Sequence, residues 1–281
     1  MGEPEFRDGV WWFRQPDGTL LRWDTARNVW VPAGPGGAGP EAPAIASRAF
    51  AEPWQPLETS AKVVRTLLWV GAVVALIATV SDIFEIELLG RIKSGELVSN
   101  SEADANDIRQ GVIGIAQTAL GLATAVVFIM WFSRAYQNVA RLGAGPLRYG
   151  KGWAIGAWFV PIWNLFRPKQ IANDIWRGSD PDMPRLPDAS DWRNGPIPGL
   201  LFGLWWLLWL VSNFALGPGL FSADTPAELQ AQSIRFLISD SAGALGAVLC
   251  AIVVDRTTRR QEERARRVAA AQAPLPATAP A

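Results

Sequence analysis

Long apolar runs dominate the pattern of this chain. A helix needs about 20 mostly apolar residues to cross the hydrocarbon core of a bilayer. Four runs meet that length: 63–84, 111–132, 197–216 and 231–254. The second carries no charge, and the third lies inside an uncharged stretch from 194 to 223. The fourth is interrupted by Arg235 and Asp240. A fifth run, 152–166, is uncharged for only 15 residues, contains Pro161 and Asn164, and is followed by Arg167 and Pro168. So short a run, broken by proline, reads as re-entrant or interfacial, extending to about 177.

Charge sets the parity of the spans. Lys and Arg collect in cytoplasmic loops. Segment 133–151 holds Arg134, Arg141, Arg148 and Lys151 with no acid. The 167–196 loop holds Arg167, Lys169, Arg177, Arg185 and Arg193, and the tail after Val254 holds six arginines. The 217–230 loop has no basic residue and carries Asp224 and Glu228. With both 133–151 and 167–196 inside, the run between them cannot cross. The expected architecture is an all-α integral membrane protein with four transmembrane helices and a re-entrant half-helix. Both termini are cytoplasmic, in the plasma membrane, and the first apolar run serves as its own insertion signal.

Outside these spans the composition changes. Residues 1–31 are polar but rich in Trp, 32–57 are a Pro/Gly/Ala linker, 58–256 form the membrane domain, and 257–281 are a basic, then Ala/Pro-rich tail. Asp17-Gly18 between aromatic, β-prone segments is a hairpin signal. A three-stranded meander is expected, with Trp12, Trp23 and Trp30 on one face. So small a unit is marginal alone, and its large aromatics are the compensation. It serves either to dock a cytoplasmic partner protein or to cap its own membrane domain.

Composition narrows the chemistry. The chain has 281 residues, 15 Trp, no His and one Cys, with zero net charge. One Cys excludes a disulfide framework or a Cys-cluster zinc site. Without His there is no His-based triad and no imidazole metal ligand. No cofactor or metal is expected, zero net charge gives no field for nucleic acid, and no enzymatic activity is expected. Cys250 reads as inert packing.

Two polar clusters stand out. Arg134 and Asn138 are four apart on one helix face, and Asn164 and Arg167 flank the broken half-helix. Together they read either as an inner-leaflet pocket for an anionic ligand or lipid headgroup, or as groups that satisfy freed backbone and snorkel to the interface. Gly143 is a natural helix C-cap, and Gly152 and Gly156 form a small-residue pair suited to helix contact. Pro168 opens an interfacial helix that places Ile171, Ile175 and Trp176 toward lipid and Asp174 toward water, with Gly178 ending it. At the other end, Asp82, Glu85 and Asp240 lie near the outer ends of their spans. An acid within a span is a functional candidate: Asp240 is part of a proton or cation relay, or the ion-pair partner of Arg235, or simply close to the interface.

Two resemblances follow from quoted residues. The pattern Trp12…Pro16-Asp17-Gly18…Leu21-Arg22-Trp23-Asp24…Trp30 resembles a Trp-rich module, domain of unknown function 2510, that precedes membrane segments in actinobacterial proteins; Thr25 stands where that family usually has Gly. Trp131-Phe132-Ser133-Arg134-Ala135-Tyr136-Gln137-Asn138, then Gly152-Trp153 through Val160-Pro161-Ile162-Trp163-Asn164 to Arg167-Pro168, and on to Ile175-Trp176, resembles the actinobacterial membrane family called domain of unknown function 4328. That resemblance spans about residues 60–255 and implies a multi-span protein with no established activity. The expected function is a non-enzymatic scaffold or sensor, with a small oligomeric transporter or channel using Asp240 as the alternative.

The side of the 178–192 segment tests this topology. With Cys250 replaced by Ala and a single cysteine placed at Ala189, an impermeant maleimide is expected to label only permeabilised cells. Labelling of intact cells would mean that 152–166 crosses the membrane.

Overall fold

The computed structural model describes residues 4–7, 10–14, 20–24, 29–32, 53–183, 191–214 and 225–272. The Asp17-Gly18 turn, most of the 32–57 linker, the turn at 217–219 and the tail beyond 272 lie outside these residues. The chain divides into two units, residues 1–51 and 52–281.

The first unit is a four-stranded antiparallel sheet in sequence order. Its strands are β1 (Glu5–Arg7), β2 (Val10–Arg14), β3 (Leu20–Asp24) and β4 (Val29–Pro32). The sheet thus has one strand more than the three expected. Arg7 pairs with Val10, and the two residues between them are Asp8-Gly9, the same dipeptide signal as at 17–18. Register also separates the tryptophans. Trp23 lies opposite Trp30 and their rings pack edge-on at 5.3 Å. Trp12 lies opposite Arg22, the neighbour of Trp23. Successive strand residues point to opposite faces, so Trp12 is on the face away from Trp23 and Trp30. Phe13 takes the expected place, its ring 5.7 Å from that of Trp30.

The second unit is helical. Its helices are α1 (Glu58–Lys93), α2 (Asn100–Arg141), the single turn α3 (Trp153–Gly156), α4 (Arg167–Gly178), α5 (Gly199–Phe214) and α6 (Pro226–Gln272). Among the described residues, α1, α2 and α6 are long and apolar enough to cross a membrane. They contain the expected spans 63–84, 111–132 and 231–254. The third expected span holds α5, which is apolar but has 16 residues.

Local chemistry sets the helix ends. Gly95, at φ 83°, ends the turn that follows α1. Ser99 caps α2, its side chain accepting from the Glu102 N–H, in a Ser-x-x-Glu arrangement. Gly143, at φ 73°, receives the C-terminus of α2 as expected. α6 runs on through 257–272, where Arg259–Asp255 and Arg267–Glu263 pairs at four-residue spacing support the helix.

α1 packs along α6 through small residues, with Ala61, Ala72, Ala75 and Ala78 of α1 buried. α5 lies on the glycine face of α6: a Cβ at Gly246 would sit 3.4 Å from Leu208 Cβ, and one at Gly243 3.7 Å from Ser212 Cβ. Gly152 and Gly156 face open space and mediate no helix contact. The 152–166 run forms only α3, turns, and a 3-10 turn at Trp163–Leu165. It bends at Ile162, a non-glycine residue at φ 67°. Its tip exposes Phe159, Ile162, Trp163 and Phe166. The Leu165 carbonyl is capped by the Trp206 indole N–H at 3.2 Å.

α4 is amphipathic as expected, but its apolar stripe faces protein. Ile171 and Ile175 are buried in the core beside Phe132, Phe202 and Val254. The periodicity of an amphipathic helix is the same whether its apolar side meets lipid or protein. A Cβ on Gly178, the last residue of α4, would clash with Val139 Cγ1. Overpacking of that kind costs about 1–3 kcal/mol. Gly178→Ala is therefore expected to lower the unfolding temperature in detergent, and a second change, Val139→Ala, to recover most of the loss. An unchanged transition in the single variant would refute this contact.

Candidate functional site

Arg134, Asn138, Asn164 and Arg167 occupy separate surroundings. Asn138 is fully buried. Its amide nitrogen donates to the Gln55 carbonyl at 2.7 Å and to Gln261 Oε1 at 3.1 Å, and its Oδ1 accepts from the Gln55 N–H at 3.1 Å. Gln261 in turn donates to the Ala135 carbonyl at 3.1 Å and to Ser179 Oγ at 2.9 Å. Arg264 completes this hub, donating to the carbonyls of Leu142, Asp180 and Met183. Asn138 thus ties backbone and side chains together and has no free face for a ligand.

Arg167 sits in an aromatic cage. Its guanidinium carbon lies 4.0 Å from the ring centre of Trp163, 4.1 Å from Trp153 and 4.5 Å from Tyr149. Such contacts stabilise by about 0.5–2 kcal/mol each, depending on desolvation. The Tyr149 backbone is fixed by Tyr136, whose hydroxyl accepts from its N–H at 2.9 Å and donates to its carbonyl at 3.1 Å. Arg134 is half-buried and makes no side-chain hydrogen bond or ion pair among the described residues. Asn164 turns toward the interior, and its Oδ1 is buried without a donor.

Asp174, expected to face water, is 0% exposed. Arg148 Nε approaches its Oδ2 at 3.0 Å. Burial pushes this carboxyl up to about 6, against the pull of Arg148, Arg177 and Arg193. Its helix turned inward along with Ile171 and Ile175, and Asp174 went with it.

At the opposite end of the helices the structure brings Asp82, Glu85 and Asp240 together. Gln110 of α2 donates to Glu85 Oε2 and, at 3.4 Å, to Asp82 Oδ1. Ser81 donates to Gln110 Oε1 at 3.0 Å and accepts from Arg109 Nε at 2.9 Å. Gln117 donates to Asp240 Oδ1 at 2.8 Å. Asp82 and Asp240 lie close enough across α1 and α6 for their carboxyls to interact. Asp82 is 3% exposed and its Oδ2 meets no donor. The contact is a hydrogen bond only when one of the two acids carries a proton. Arg235 is exposed and forms no ion pair with Asp240.

Asp240 also lines a cavity of about 580 Å³ among α1, α2, α5, α6 and the 158–164 turn. This is within the size range of small-molecule sites. Its wall is mainly apolar and aromatic, with Phe128, Trp158, Trp205 and Trp209. Trp158 and Trp209 pack edge-on at 5.6 Å, and Trp206 stacks behind Trp209 at 4.7 Å. Thr124, Ser212 and Ser239 on the wall spend their hydroxyls on backbone carbonyls. The wall's remaining polar capacity lies with Asp240, Asn164 Oδ1, the Trp158 indole N–H, which is buried without an acceptor, and the side-chain amides of Gln117 and Asn213. The sequence shows these tryptophans as an apolar-helix motif, but no local spacing marks them as a cavity wall. Among the described residues no group of three or more His, Cys, Asp or Glu could hold a metal ion.

Fold and site define a helical protein with three helices suited to crossing a membrane and a ligand-sized cavity among them. Residues 94–259 match the family described as Domain of unknown function (DUF4328). That is more than half of the chain, and the protein belongs to this family. The match begins in the α1–α2 turn, later than the expected start near residue 60. No curated protein and no solved structure matches the chain.

Asp174 has a pH signature. Its carboxyl is raised in the folded state from 3.8 to about 6, so folding favours its protonated form. That stabilisation is complete below about pH 4 and is lost as pH rises to about 6. Two units correspond to about 3 kcal/mol. Relative to Asp174→Asn, the wild type is expected to lose stability between pH 4 and pH 6.5 in detergent-solubilised thermal unfolding. A difference that is constant across that range would refute the assignment.

Proposed function

We propose that this chain is a membrane-embedded binding protein, a sensor or scaffold, that takes a largely apolar small molecule from the lipid into its cavity. The observation that carries this reading is the 580 Å³ aromatic-walled space with only a few directed polar groups. α2 and α5 both line it, and few of their backbone positions approach each other. The flank between them leaves a lateral path for a lipid-dissolved ligand. The bilayer is the first partner, and anionic headgroups are attracted to the basic end, where Arg134 and Arg256 are free of ion pairs among the described residues.

The rest of the reading follows from the sequence. Four spans, with α5 as the short one and 152–166 re-entrant, put both termini on the cytoplasmic side of a plasma membrane. The module at 5–32, of the kind called domain of unknown function 2510, then docks a cytoplasmic protein. The source is actinobacterial, by the resemblances quoted above. No catalytic step is assigned. The second reading, a small oligomeric transporter, is favoured by the Asp82–Asp240 contact at the cavity wall.

Gly121 lines the cavity, and a Cβ built there meets nothing within 4 Å. Gly121→Phe therefore fills the space without a clash at its first atom. The wild type in nanodiscs is expected to bind the neutral fluorophore N-phenyl-1-naphthylamine saturably, with energy transfer from the wall tryptophans. Gly121→Phe is expected to weaken that binding at least tenfold. Non-saturable uptake equal to that of empty nanodiscs would overturn the cavity as a ligand site.

A further inference from the structure

The cavity has one property that a purely apolar ligand leaves unused: its wall contains a single charged residue, Asp240, and no Lys or Arg. We propose that the cavity takes a lipophilic monovalent cation, an ammonium or phosphonium with aromatic or bulky alkyl substituents, in exchange for a proton shared between Asp82 and Asp240. This rests on the reading of the cavity as a ligand site and names the ligand's chemistry.

Two carboxyls in contact inside a helix bundle cannot both stay ionised unless a cation lies beside them. No fixed cation does. From α1 the charged groups facing the pair are Asp82 itself and Glu85. From α2 they are Asp107 and Arg109, which act on Glu85. Arg109 is occupied by Ser81 and Asn106 and lies 5.7 Å over the Phe84 ring. α5 carries no charged residue. On α6, Arg235 stands five residues from Asp240, which places it about 140° around the helix, exposed and away from the pair. The polar contacts of the pair are Gln110 and Gln117, both neutral donors. The remaining oxygen, Asp82 Oδ2, is buried without a donor. One proton between the two acids satisfies it and leaves the pair with a single negative charge.

A cation in the cavity supplies the missing charge directly. Asp240 reaches it from the wall, and Trp158, Trp205 and Trp209 line the same space, where aromatic rings attract a cation through their quadrupoles. The bulky apolar substituents of such a cation fill the remaining apolar space. The exchange balances: the cation enters, the shared proton leaves, and the charge of the site plus ligand plus released proton is unchanged. Glu85, held next to Asp82 by Gln110 at the end of the bundle, is the neighbouring acid on the way out for that proton. A neutral amphiphile would leave the single negative charge of the proton-sharing pair unanswered.

The test uses the full chain in nanodiscs, with tetraphenylphosphonium as the cation and N-phenyl-1-naphthylamine as the neutral control, each corrected for empty nanodiscs. Tetraphenylphosphonium is expected to bind saturably, to bind at least tenfold tighter at pH 8 than at pH 6, and to release a proton into weakly buffered solution. Asp240→Asn is expected to abolish cation binding and proton release. Asp82→Asn, which leaves Asp240 as a lone carboxylate, is expected to keep cation binding and lose its pH dependence. Cation binding that is absent or pH-independent in the wild type, or unaffected by Asp240→Asn, would overturn the proposal. If the neutral probe binds and the cation does not, only the cation inference fails. If neither binds, the cavity reading fails with it.

Discussion

The amide of Gln261 is the point on which the helical unit is pinned. It donates to the Ala135 carbonyl of α2 and to Ser179 beyond α4, and accepts from Asn138, which itself clasps both backbone groups of Gln55 ahead of α1. Four segments meet at two side chains that are both fully buried. A buried amide left without partners costs about 1–3 kcal/mol, so displacing any of these segments penalises the others. α1 and α6 need no such device, since small residues let them pack along their length. α2 does need it. Its most apolar window has no buried residue, so side-chain packing there does little to hold it against the bundle.

That constraint explains where the cavity lies. α2 is tied to α6 near one end by the Asn138–Gln261 hub and the Trp131–Thr258 bond. Toward the other end it is tied by Gln117 to Asp240 and to α1 by Gln110. Between these ties it touches α5 very little. The space left there is bounded by large rings, which cannot close it without losing their mutual packing. The polar ties at the two ends thus fix the height of the cavity, and the tryptophans fix its width.

Much of the scaffold was legible in the sequence because it depends on local rules. Run lengths located α1, α2 and α6, and Gly143 and Pro168 marked the ends they mark in the structure. Other features depend on pairing, which composition does not encode. Trp12 and Phe13 are both large aromatics, and only the register with Arg22 and Leu21 decides which of them joins Trp23 and Trp30. Asp174 and Ile175 lie on a helix whose pattern fits a lipid surface or a protein core equally well. The four residues expected to form one inner-leaflet pocket each find a different neighbour, because each solves a separate local need: a backbone clasp for Asn138, an aromatic cage for Arg167. Asp82 and Asp240 were each visible as acids near span ends. Their contact was not, since it depends on how α1 and α6 face each other.

The composition acquires a sharper meaning once the cavity is placed. A chain without histidine has no side chain that ordinarily changes charge near neutral pH, so a change in protonation within the helices falls to carboxyls held in unusual surroundings. Of the acids in this unit, Glu58 and Asp255 are answered by Arg65, Glu96 and Glu102 by Arg91, and Asp180 by Arg260. Such pairs hold fixed charges in place. Among the described residues, Asp82 and Asp240 are answered by amides and by each other. Among the described residues, this carboxyl pair without a fixed cation adjoins the space left for a ligand, since Asp240 lines the cavity. Both features arise from the same geometry: α2 reaches Asp82 and Asp240 through Gln110 and Gln117, while its Arg109 is held by Ser81 and Asn106.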